Sequence, residues 1–124
     1  MSLPKITNIN MEELLDTSEF VLQTAEQIMK DFGMFGVEIT FSGEVTNAYQ
    51  ELHQQLETQI DDLAGMNQER LKSIHYQVDI GNKEISQAQS DLPHYSFTEI
   101  IAHQVIAREL KKVLTRNYFK TKGY

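Results

Sequence analysis

Two pairs of residues have the types and spacing to share one chemical site. His53 and Glu57 stand four apart, and so do Glu99 and His103. On helices each pair faces one way, so two helices could offer two imidazoles and two carboxylates to one ion. Carboxylate-bridged di-iron bundles use another pattern, a Glu-x-x-His on each of two helices with further glutamates. Neither pair has that spacing. His53 and Glu57 also fall off the apolar stripe of their helix, which turns them toward water. His103 projects with Leu110 and Leu114, where a partly buried, hydrogen-bonded imidazole is the ordinary outcome. A metal-dependent helical-bundle enzyme is thus an alternative reading, and no metal ligand or cofactor is assigned.

Other candidates are weaker. Asp61 and Asp62 are adjacent, so on a helix they point about 100° apart and read as solvated residues near a helix end. Asp79, between Val78 and Ile80, is either a buried carboxylate or an N-cap for the next helix, and the cap is preferred. Tyr76, His94 and Tyr95 beside Pro93 are the residues placed to line a groove between helices, with ordinary loop packing as the preferred account. Gly33-Met34-Phe35-Gly36 is too short and apolar to cradle phosphate. The chain contains no G-x-S-x-G elbow, Walker loop or G-x-G-x-x-G. It contains no cysteine, so a thiol nucleophile, disulfides and cysteine-based zinc sites are excluded. No catalytic residue is assigned.

Charge supplies the one candidate surface. The net charge is -7, but residues 1–100 hold five Lys/Arg against seventeen Asp/Glu, or -12, and residues 101–124 hold six against Glu109, or +5. Arg108, Lys112, Arg116 and Lys120 recur every four residues, with Lys111 beside them. These five are the expected partner-binding residues. An acidic body disfavours nucleic acid and anionic membrane over most of the surface, while long cationic stems can cover apolar area and reach acidic groups on a protein partner. The reading is a non-enzymatic protein–protein interaction module, self-associating through its C-terminal helix. A nucleic-acid-associated factor using the same helix is the other alternative, since Tyr118, Phe119 and Tyr124 interleave with the cations.

The elements that position these residues follow from periodicity. Asn10 with Glu13 forms a capping box ahead of Leu14, Leu15, Val21, Leu22, Ala25, Ile28, Met29 and Phe32, a helical stripe that Gly33 ends. Thr17-Ser18 is a point of interruption in its first turns. Val37-Glu38-Ile39-Thr40-Phe41 alternates as a strand does. A lone strand must find a partner or lie extended across helices. Val45, Tyr49, Leu52, Leu56, Ile60 and Leu63 make a second helix, with its end at Gly65. Asn67 is positioned to cap a third through Leu71, Ile74 and Val78. Residues 74–80 also alternate strictly, so a two-stranded ribbon with 37–41 is the alternative, and helix is preferred. Gly81-Asn82 breaks the chain before a short helix with Ile85, Ala88 and Leu92. Ser96 and Glu99 form a capping box for a last helix, continuous from 97 to 119. Phe97, Ile100, Ile101, Ala102, Val105 and Ile106 make it apolar nearly all round at first.

The chain of 124 residues predicts a single domain over residues 1–124 with one real core. The fold class is mainly α, an irregular four- to five-helix bundle with one short extended segment, or α+β should the ribbon form. No apolar run approaches the roughly 18 residues of a membrane span, and no secretory signal is evident, which makes a cytoplasmic location the expectation.

Overall fold

The computed structural model describes residues 18–121, with side chains from 19 to 117. Among them are five α-helices: α1 Ser18–Gly33, α2 Ala48–Met66, α3 Gln68–Val78, α4 Asn82–Asp91 and α5 Phe97–Thr121. A single 3₁₀ turn, Val45–Asn47, leads into α2. No sheet forms among the described residues, so the bundle is realised and the α+β ribbon is not. The Asn10–Glu13 capping box lies outside the described residues.

Helix α1 buries Val21, Ala25, Ile28 and Phe32 completely, each three or four residues after the last, as one helical face requires. Past Gly33 the chain reverses through Gly36 at φ +75°, a conformation in which a Cβ would meet the backbone. The amide of Val37 returns to the Phe32 carbonyl at 3.1 Å.

Residues 37–42 are extended and pair with no strand. Val37 and Ile39 are buried while Glu38 and Thr40 face water, so the side-chain alternation of a strand is kept. Side chains of α2 replace the missing ladder. Thr40 donates its N–H to Gln55 Oε1 (2.8 Å), and Gln55 Nε2 donates back to the Thr40 carbonyl (2.6 Å). Ser42 donates both its N–H (2.8 Å) and its hydroxyl (2.7 Å) to the Glu51 carboxylate. One glutamine thus does for Thr40 what a neighbouring strand would do.

Helix α2 buries Ala48, Leu52, Leu56, Ile60 and Leu63. It runs through Gly65 and ends at Met66, one residue past the expected stop. Asn67 caps α3 by accepting the Arg70 N–H at 3.0 Å. Leu71, Ile74 and Val78 then lie buried on one face of α3. The alternation across residues 74–80 is satisfied by a helix that stops at Val78, with Ile80 buried just beyond it.

Asp79 corrects the sequence reading. It is neither buried nor the cap of α4, whose first flanking residue is Gly81. It adopts a left-handed conformation (φ 69°, ψ 50°). Its N–H bonds to the Tyr76 carbonyl and that of Ile80 to the His75 carbonyl. This is a Schellman motif with aspartate in glycine's usual place, tolerated because Asp is among the few side chains that visit this region.

Helix α5 is unbroken across all 25 residues. Glu99 N–H donates to Ser96 Oγ and Ser96 N–H to Glu99 Oε1, both at 3.1 Å, the expected capping box. Ile101, Ala102, Val105, Ile106, Leu110 and Val113 have no exposed surface. Phe97 departs from expectation: it is 41% exposed, because it sits on the first turn, beyond the edge of the core. Every other described helix packs against α5, with α2 and α1 its main neighbours.

Candidate functional site

The basic residues of α5 are largely occupied within the chain. Arg108 donates to the Asp79 carboxylate. Lys112 Nζ lies 2.9 Å from Glu109 Oε1 and 3.7 Å from Asp31 Oδ2, and it donates to the Gln77 carbonyl at 3.3 Å. Arg116 reaches Gln27 Oε1 at 3.4 Å. Lys111 and Arg116 are exposed, whereas Arg108 and Lys112 are half-buried. The Lys120 side chain is outside the described set. The gradient from buried Val105 to wet Arg116 is as the sequence suggests, but two of the expected contact residues spend their charge internally.

The carboxyls that engage Lys112 were missed as a site. Glu109 has no exposed surface and Asp31 has 1%. Asp31 Oδ1 accepts from Gln27 (3.1 Å) and Gln77 (3.5 Å). Asp31 Oδ2 and both Glu109 oxygens receive no well-directed donor, since the Lys112 ammonium is close but poorly aligned. A proton held by Glu109 supplies what is lacking. Burial pushes that carboxyl up to about 8, its hydrogen bond with Asp31 adds to the rise, and Lys112 opposes it. The signal was in the sequence: Glu109 stands seven, four and three residues after Ala102, Val105 and Ile106 and four before Val113, at helical spacing from these buried positions.

The four residues weighed for a metal come together only in part, and in a different role. His53 on α2 with His103 and Glu99 on α5 line one cleft of about 270 Å³, completed by Tyr49 and Ile100. Leu92 and Tyr95, from the α4–α5 connection, close its side. The α2–α5 packing places residues 49 and 53, one turn apart, opposite residue 103. Tyr49 OH is 3.0 Å from His103 Nδ1. The Tyr49 ring lies 5.3 Å from that of His53 and meets that of His103 edge-on at 6.2 Å. His53 Nδ1 is 3.0 Å from Glu57 Oε2. Glu99 Oε1 is held by the Ser96 N–H. Among the described residues no three His, Asp or Glu are grouped to hold a metal ion.

Burial and, secondarily, the neighbouring His53 lower the His103 imidazole to about 4, so at neutral pH it is an uncharged ring with one N–H donor. The cleft therefore combines two imidazole rings, that of His103 held neutral by burial, with a carboxylate, two phenols and aliphatic side chains. Of the three residues weighed as groove lining, Tyr95 lines the cleft, while His94 and Tyr76, the latter on α3, are exposed and do not. Asp61 and Asp62 are exposed as expected, and Asp61 accepts the Thr98 hydroxyl at 2.7 Å.

A second groove, of about 410 Å³, runs between the end of α2, α3 and α4, with Leu71, His75, Ile85 and Phe97 among its walls. No described helix is long and apolar enough to cross a membrane. Compared with protein families, curated proteins and solved structures, the chain matches none, so any functional reading rests on this geometry alone.

Proposed function

We propose that the protein is a non-enzymatic binding module whose ligand is a small organic molecule held in the cleft between α2 and α5. The observation that carries this is the convergence of Tyr49, His53 and His103 from two helices onto one concave surface. Three polar rings line a concavity, each engaged in a named hydrogen bond, and this favours a preorganised recognition surface over a chance hollow. The volume, at the low end for ligand sites, limits the occupant to a small molecule. A fragment library of mixed charge, read by the ring-proton signals of His53 and His103, tests this reading. Binders should move both signals together. A library that moves neither would sink it.

Self-association is the second reading, and the charge asymmetry favours it. Lys111 and Arg116 are the described α5 cations that remain exposed, and residues 1–100 carry -12. A second copy of the chain is the acidic partner these two cations fit. Light scattering across a concentration series should then show mass growth that Lys111→Glu with Arg116→Glu abolishes. A constant monomer mass excludes it.

A further inference from the structure

Resting on the binding reading of the α2–α5 cleft, we infer that its ligand is a small organic cation, an ammonium or related group on a compact apolar body. The argument starts from what the walls lack. Among the described residues no lysine or arginine lines the cleft, and the one formally charged lining group is the Glu99 carboxylate. An anion would find no fixed positive charge there, and the acidic body of the chain would repel it at range. A cation meets the opposite field from Glu99 and, one step behind His53, from Glu57.

The rings give the second half of the argument. Tyr49 and Tyr95 line the cavity, and a cation placed over an aromatic face is held by the ring quadrupole. His103, kept neutral by its burial, adds a ring without adding repulsion. Ile100 and Leu92 form an apolar floor that suits methyl or methylene groups and offers nothing to a strongly hydrated inorganic ion. Rings, a carboxylate and an aliphatic floor thus select for an organic cation over an anion and over a bare metal ion. A separate depression between α2 and the start of α5 carries Glu57 and Asp61, which adds to the negative field on this side of the bundle.

The test uses three probes of nearly one shape: choline, its neutral isostere dimethylbutanol, and the tert-butylacetate anion. Titrated into the full chain at pH 7 and followed by the ring signals of His53 and His103, choline should bind at least tenfold more tightly than the alcohol. The anion should not bind. Glu99→Gln is the decisive variant, because glutamine keeps the capping box with Ser96 and removes only the charge. It should weaken choline about fivefold or more and leave the alcohol unchanged, and Tyr95→Ala should weaken choline about two- to fivefold. Equal or tighter binding of the alcohol or the anion overturns the cation assignment while leaving the cleft a binding site. Failure of all three probes to move the His53 and His103 signals overturns both.

Discussion

At the scale of single residues, Glu109 and His103 set opposing dependences on pH. The Glu109 carboxyl is raised from 4.5 to about 8 in the fold, so the folded state binds the proton more tightly than the unfolded chain. Its contribution is fully present below pH 4.5 and is lost as pH rises toward 8. His103 is lowered from 6.5 to about 4. Its contribution is present above pH 6.5 and is lost as pH falls toward 4. Burial lowers His75 in the same direction as His103. Each group alone gives a slope of up to roughly 1.4 kcal/mol per pH unit. Between about 4.5 and 6.5 Glu109 and His103 oppose each other, and above 6.5 only the Glu109 slope persists. Urea unfolding should therefore show a broad stability maximum in that window and a decline from pH 6.5 to 8. Glu109→Gln should flatten the decline and raise stability at pH 8. A decline that survives this substitution would show that the Glu109 proton is not its source. By ring-proton titration, His103 should show no inflection between pH 5.5 and 8.

Among elements, the extended stretch and the helix caps make the sharpest claims. Residues 37–42 hold their conformation without a sheet because Gln55 and Glu51 satisfy their backbone. Gln55→Ala removes three contacts to Thr40 at once and should cost about 1–3 kcal/mol. Thr40 amide exchange should accelerate well beyond that of α2, and an unchanged rate would mean that solvent already serves this backbone. Ser96→Ala, which removes the side-chain half of the α5 cap, should lower stability by about 1 kcal/mol in thermal or urea unfolding. These elements were legible in different degrees. The caps at Asn67 and Ser96 could be read because a cap is local: the acceptor and the amide it serves lie three residues apart. The partner of Thr40 could not, because Gln55 is fifteen residues away on another helix. Asp79 was misread for a related reason. A left-handed residue is fixed by where the preceding helix stops, and the alternating pattern of residues 74–80 hid that stop.

For the whole molecule, the central fact is that α5 touches every other described helix. A mutation in its buried middle is therefore felt throughout. Ile106→Ala, at a site with no exposed surface, should cost about 2–5 kcal/mol through lost burial and the cavity left behind. Typical domains hold only about 5–15 kcal/mol in total, so this variant should be close to unfolding at 37 °C. Its denaturation should remain one cooperative transition. Separate transitions for the N-terminal and C-terminal helices would contradict the central role of α5. A single transition would accord with a cleft assembled from residues about fifty apart in the chain.

Hydrophobic period and local caps fixed the elements. Each apolar stripe needs only its own spacing, so the helical class, the buried faces of α2, α3 and α5 and the unbroken last helix could be read from residue order. Which polar groups meet could not. Arg108 with Asp79, Lys112 with Asp31, Tyr49 with His103 and Gln55 with Thr40 are decided by how helices pack, because a side chain's partner across an interface depends on the rotation and height of both helices. Packing is what set Arg108 and Lys112 against carboxylates of the same chain and brought three polar rings around one cleft.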